Sequence, residues 1–255
     1  MLNQVTIEKM QDLRLHGMLA ALDEQGRSSE HARLSFEDRL GLLVDSEWEA
    51  RENRRLTNRL RQAKMRYPAS LEDVDFHSRR GLDRRTVLAL GTCQWIREHQ
   101  NLVLTGATGT GKSYLACAFV ERACRSGFSA TYVRTARLVH DLAVARGDGT
   151  YRRFLVKLAK VDLLAIDDWL LAPPSDSERR DLLEVIEDRT ENRSTLVATQ
   201  LPVKSWHEAI GEASMGDAIC DRLVHGAHHI ALKGPSMRQV RAKHEPKPAA
   251  KKAAS

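Results

Sequence analysis

The sequence predicts an α/β protein, a parallel sheet covered by helices on both faces, with a small all-helical domain in front of it. Three observations predict this. From about residue 85 to 235, short β-rich runs alternate with helical segments. A glycine-rich turn, Gly106 to Ser113, joins the first of those runs to a helix. Residues 1 to about 68 read as helical throughout, with apolar residues at helical spacing.

Composition sets the outer limits. A chain of 255 residues holds one large α/β domain, or a core domain with a smaller appendage. Hydrophobic content of 42% is enough for a core. No apolar run approaches the roughly 18 residues of a membrane span. The opening segment MLNQVTIEKMQDL is mixed and amphipathic, unlike a signal peptide. Cys93, Cys117, Cys124 and Cys220 show neither CxxC pairing nor framework spacing, so they are expected to be reduced and buried, in a cytoplasmic protein. The net charge of +6 and pI of about 9.3 suggest a polyanionic partner without proving one. The expected division is a helical domain over 1–68, an α/β domain over 69–240, and a disordered basic tail over 241–255, rich in Lys, Pro and Ala.

In the helical domain, Thr6 can cap a helix carrying Ile7, Met10, Leu13, Met18 and Leu22. The segment EQGRSSE reads as a loop. Ser35 and Asp38 have capping-box spacing, with Asp in place of Glu or Gln. The helix behind them carries Phe36, Leu40, Leu43, Val44, Trp48, Leu56 and Leu60. Its second half is basic: Arg51, Arg54, Arg55, Arg59, Arg61, Lys64 and Arg66 stand against one acid, Glu52. Arg51, Arg55 and Arg59 share a face, where like charges repel. The run is either a solvated face or a phosphate-binding one; its lopsided sign favours phosphate. Tyr67-Pro68 ends this helix, and Leu71 to Arg85 reads as a linker. Arg79, Arg80, Arg84 and Arg85 are further candidate phosphate contacts.

Strands are predicted at 101–105, 130–133, 161–166, 194–199 and 228–232. Helices are predicted at 113–126, 137–145, 151–160, 176–191, 205–211 and 217–225. Between the first strand and the first of these helices, Gly106-Ala107-Thr108-Gly109-Thr110-Gly111-Lys112-Ser113 fits GxxxxGK(S/T) in full. Glycines let backbone N–H groups curl around phosphate oxygens, and the helix behind turns its positive end to the anion. Gly106 through Tyr114 are therefore the expected nucleotide-binding residues. Lys112 reaches the β- and γ-phosphates, and the Ser113 hydroxyl ligates Mg²⁺. The apolar run Leu163 to Ile166 reads as a buried strand ending in Asp167-Asp168, at the end where ligands bind in such sheets. Asp167 fits a second Mg²⁺-linked acid, and Asp168 fits a general base that orients water. Thr199 and Gln200 sit at the end of the 194–199 strand; if that strand lies beside the one carrying the acids, one of them can face the γ-phosphate.

Taken in order, these residues resemble the IstB/DnaC branch of the AAA+ ATPases, and specifically the IstB-like transposition helper ATPases of insertion sequences. The segments that carry the resemblance are SFEDRLGLLVDSEWEAREN, TGATGTGKSYLACA, LLAIDDW, LVATQLPVKSW, CDRLVHGAHHI and KGPSMR. It implies an AAA+ P-loop core with ATP sites between the subunits of a homo-oligomer, in a bacterial cytoplasm. It implies that Arg222 of Asp221-Arg222-Leu223 is an arginine finger for a neighbour's site. Arg238, closing Gly234-Pro-Ser-Met-Arg238, would be a second sensor touching the γ-phosphate. Thr199-Gln200 matches the first sensor, where helicase loaders tend to have Ser-Asn. Asp167-Asp168 departs from the common Asp-Glu pair, and a shorter base needs a closer water. The implied partners are duplex DNA, held largely without regard to sequence, and a cognate transposase. Two other readings keep the ATP chemistry: a DnaC-like helicase loader acting with single-stranded DNA, and a small-molecule kinase, which would leave the arginine-rich helix unexplained.

Overall fold

The expected alternation folds as five parallel strands flanked by helices. The computed structural model of the chain describes residues 3–27, 31–78 and 80–237. Contacts divide the chain into two compact units, Met1–Arg61 and Gln62–Ser255.

The first unit is helical. Helix α1 spans Gln4–Asp12 and is capped by Asn3, whose side chain accepts from the Val5 N–H at 3.3 Å. Thr6, the expected cap, lies within the helix. The predicted single helix is two, because Arg14 turns left-handed (φ 57°) before α2 (His16–Arg27). Glu24 to Arg27 of the expected loop belong to α2; residues 28–30 lie outside the described residues. After a 3-10 turn at His31–Arg33, α3 runs Phe36–Ala63. The Ser35 hydroxyl accepts from the Asp38 N–H at 3.1 Å and donates to the Asp38 carboxylate at 2.8 Å. Buried Glu47 of α3 accepts from the Gly17 and Met18 N–H groups at 2.7 and 3.2 Å, satisfying the start of α2. Burial disfavours its charge, but bonds from Arg51 and those two N–H groups outweigh this and lower its pKa. Helix α3 stops earlier than expected. Lys64 is left-handed (φ 51°), so Lys64 and Arg66 lie beyond the helix.

In the second unit, the segment expected to be a linker is partly packed, with Ala69, Leu71 and Val74 buried. Two short helices that the sequence pattern does not predict come next: α4 (Arg84–Leu90), capped by Asp83, and α5 (Gln94–Arg97). Then come β1 (Leu102–Gly106), α6 (Lys112–Arg125), β2 (Ala130–Arg134), α7 (Thr135–Gly147), α8 (Tyr151–Lys160) and β3 (Leu163–Trp169). The order continues with α9 (Asp176–Glu187), β4 (Ser194–Thr199), α10 (Trp206–Ile210), α11 (Ala213–Val224) and β5 (His228–Leu232). The sheet order is β2-β3-β4-β1-β5, all parallel. Leu163 to Ile166 and Leu196 to Ala198 are fully buried, as strands covered on both faces must be.

Two polar clamps fix the N-terminal ends of these strands. The buried Arg189 guanidinium donates to the carbonyls of Leu158, Val161 and Ser194 and to the Thr195 hydroxyl. Asn101 accepts from the Thr195 N–H at 2.9 Å and donates to the Arg222 carbonyl at 2.8 Å. At the other end, β1, β4 and β3 finish side by side, and the loops leaving these three strands meet there. Among the described residues, no helix is long and apolar enough to cross a membrane.

Candidate nucleotide-binding site

The loop after β1 is shaped for an anion. Gly111 stands at the N-cap of α6 with φ 103° and makes no side-chain cap, so the first N–H groups of the helix face the loop. Gly109 (φ 84°) is required by its neighbour: a Cβ there would lie 2.2 Å from the Ser236 hydroxyl oxygen. The Met237 N–H donates to the Gly109 carbonyl at 2.8 Å, so the segment after β5 crosses the loop. Thr110 is fully buried and its hydroxyl donates to the Ala107 carbonyl at 2.9 Å, closing the turn. The Lys112 ammonium donates to the carbonyls of Gly106 and Ala107 at 2.7 and 2.9 Å. Burial lowers its pKa, and Asp167 and Asp168 act against that.

Asp167 and Asp168 lie inside β3 rather than after it. The strand continues to Trp169 through a β-bulge, in which Ile166 pairs Val197 and Trp169 pairs Thr199. The extra residue re-aims the two side chains, and Asp168 adopts φ 55°. Asp167 is 1% exposed. Its Oδ2 accepts the Tyr132 hydroxyl at 2.5 Å, and its carbonyl accepts the Thr135 hydroxyl at 3.1 Å. Burial, then the Asp167 carboxylate, raise the Tyr132 pKa and keep the phenol protonated as donor.

Of the two sensor candidates, Thr199 is buried, donating to the Trp169 carbonyl at 2.8 Å and accepting the Leu201 N–H at 3.1 Å. Gln200 is exposed, and its Oε1 accepts the Thr108 hydroxyl at 2.7 Å. The structure thus brings Gln200 to the phosphate loop and keeps Thr199 in the strand.

Arg222 lies elsewhere. Its guanidinium pairs with Glu187 at 2.8 Å, and its carbonyl is held by Asn101, just before β1. The five residues of β1 separate Asn101 from the loop by about 17 Å at 3.3 Å per residue. Arg238 and the tail from 241 lie outside the described residues, as does Arg79.

A cavity of about 290 Å³ opens beside the loop, lined by Tyr67, Asp73, Asp75, Arg80, Gly109, Gly111 to Tyr114, and Met237. The sequence pattern assigns no nucleotide-binding role to residues 67–80. Arg80, expected to be a DNA contact, is instead 6% exposed and turned toward the loop. The other basic residues are distributed differently. Arg51 pairs with Glu47, Arg55 with Glu52, and Arg61 bonds Asn58. Arg54 is exposed and Arg59 half-buried. Lys64 and Arg66 line a second cavity, of about 450 Å³, with Tyr132, Arg134 and Lys157.

These features fit a nucleoside triphosphate with a divalent cation: a glycine cradle, an uncapped helix start, a buried lysine, and a hydroxyl next to it. Among the described residues, no three His, Cys, Asp or Glu side chains cluster as a metal site. A cation here would take Ser113 and Asp167 together with phosphate oxygens.

Fold and site together define a P-loop ATP-binding protein of the AAA+ type. Residues 8–245 match the family of IstB-like ATP binding proteins, and the chain belongs to that family. It is 48% identical to a putative insertion sequence ATP-binding protein of Sinorhizobium fredii, over 94% of this chain and 98% of the relative. It is also 48% identical to the putative ATP-binding protein of insertion sequence IS1162 from Pseudomonas fluorescens, over 79% of this chain and 88% of the relative. In fold it resembles the crystal structure of DnaI, with a TM-score of 0.55 and 22% identity, over 65% of this chain and 91% of that one.

Proposed function

We propose that the chain is an ATP-hydrolysing helper of transposition that assembles on duplex DNA with ATP and acts with a cognate transposase. The observation that carries hydrolysis is the row of adjacent strand ends: the phosphate loop after β1, Gln200 after β4, and the bulged Asp167-Asp168 in β3. Lys112 and the N–H groups of α6 hold the phosphates. Mg²⁺, when bound, neutralises the phosphate oxygens and is held by Ser113 and Asp167. Tyr132 donates to Oδ2 of Asp167, which would orient the carboxylate that holds the metal. Asp168 orients and deprotonates the attacking water, and Gln200 contacts the γ-phosphate region.

Arg222 supports an inter-subunit site, since its own loop lies at the far end of β1. In a ring or filament it would meet the phosphates bound by the next subunit, with Arg238 as the second sensor of the γ-phosphate. On α3, Phe36, Leu40, Val44 and Trp48 are exposed at successive four-residue intervals, Phe36 by 73% and Trp48 by 66%. An apolar stripe of this kind supports assembly through the helical unit. Arg51, Arg54, Arg55, Arg59 and Arg61 supply phosphate contacts further along the same helix, and Lys64 and Arg66 just past it, all without sequence readout. The insertion-sequence names of the relatives support the transposition role and a transposase as partner.

Replacing Asp168 by Asn tests the chemistry. ATP affinity stays near that of the parent protein while turnover falls by roughly 100-fold or more, measured by phosphate release. Unchanged turnover in both Asp167→Asn and Asp168→Asn would remove the acids from the reaction.

A further inference from the structure

We propose that Arg80 is a positioning residue of the nucleotide site, which sets the direction of the Gly111 N–H by holding the Thr110 carbonyl. This rests on the reading of Gly106–Ser113 as the phosphate loop. The Arg80 side chain donates through Nη1 to the Thr110 carbonyl at 3.3 Å and through Nη2 to the Asp75 carbonyl at 2.6 Å. Its backbone is fixed as well, because the Lys233 N–H at the end of β5 donates to the Arg80 carbonyl at 2.7 Å. Arg80 therefore joins Asp75 and the phosphate loop through its guanidinium, and the exit of β5 through its backbone carbonyl.

Peptide geometry gives this bond its effect. In a trans peptide the C=O and the next N–H point in opposite directions. Holding the Thr110 oxygen toward Arg80 turns the Gly111 N–H away from it, and so sets the direction in which that N–H can meet an anion. Gly111 makes room for this arrangement: a Cβ there would lie 2.7 Å from Arg80 Nη1. Arg80 is also one of the residues lining the cavity beside Lys112 and Ser113. Its charge thus adds to the field that a phosphate group meets there. A planar fork bridges two carbonyls in fixed geometry, which an ammonium cannot reproduce.

The test compares parent protein, Arg80→Ala and Arg80→Lys by equilibrium binding of ATP and ADP, with melting measured without nucleotide. Arg80→Ala weakens both nucleotides about tenfold, the loss expected for one charge-assisted hydrogen bond. Arg80→Lys falls between the two, and millimolar guanidinium chloride restores affinity to Arg80→Ala but not to the parent protein. Turnover at saturating ATP changes far less than KM. Parental affinity in Arg80→Ala overturns the proposal, as does a lower melting temperature whose binding defect guanidinium does not rescue. If Arg80→Ala does not fold, parental affinity in Arg80→Lys overturns it. A parent protein that binds neither nucleotide would instead refute the phosphate-loop reading itself.

Discussion

At the scale of single residues, the site depends on how buried polar groups are divided between structure and chemistry. Asp167 accepts the Tyr132 hydroxyl at Oδ2, which orients its carboxylate. Tyr132→Phe keeps the ring in place and removes that bond. We expect turnover to fall about tenfold, with ATP affinity near parental and a higher Mg²⁺ requirement. A Mg²⁺ titration of steady-state ATPase measures this; an unchanged titration would make the bond incidental. The loop, Lys112 and both acids are legible in the sequence, because each sits in a contiguous run whose spacing dictates its place. Tyr132 is not, since its role depends on the pairing of β2 with β3, which brings together residues 35 positions apart. Arg80 escapes as well, because a run of arginines does not show which one is buried. The choice between Thr199 and Gln200 also needs the fold, which pairs Thr199 with the Trp169 carbonyl.

At the scale of elements, all five strands lie within about three residues of their predicted ends, because continuous apolar runs bounded by polar turns mark them. The α4 and α5 helices escape prediction because both are short, with seven and four residues, too few to show a helical period. The extension of β3 through its acids escapes because a bulge places polar residues inside a strand. Helix α3 relieves its own charge in part, through Arg51 with Glu47 and Arg55 with Glu52. Of the two, Arg55–Glu52 is the exposed pair, of a kind that contributes little to stability, whereas Arg51 holds the buried Glu47. Neutralising Arg55 and Arg59 together to Gln is expected to lower duplex affinity. It also flattens the dependence of log affinity on log salt, by about one unit for each phosphate no longer neutralised. An unchanged slope would return the helix to a solvated face, and tighter binding of single-stranded than duplex DNA would favour a helicase loader.

At the scale of the whole molecule, the central claim is that the ATP site is completed by a neighbouring subunit. The sheet keeps Arg222 and the phosphate loop at opposite ends of β1, with Asn101 anchoring the helix that carries the arginine. On the proposed reading, one chain would carry both halves of an active site without joining them. ATP bound between two such chains would tie assembly to nucleotide state, and DNA affinity to assembly. Mixing Arg222→Ala with Lys112→Ala tests this most directly, by ATPase activity in the presence of duplex DNA. Each variant alone is inactive, and mixing them restores part of the activity, because some junctions pair an intact loop with an intact arginine. If no mixing ratio restores activity, or if Arg222→Ala alone hydrolyses ATP at the parental rate, the site is complete within one chain and the inter-subunit assignment is wrong.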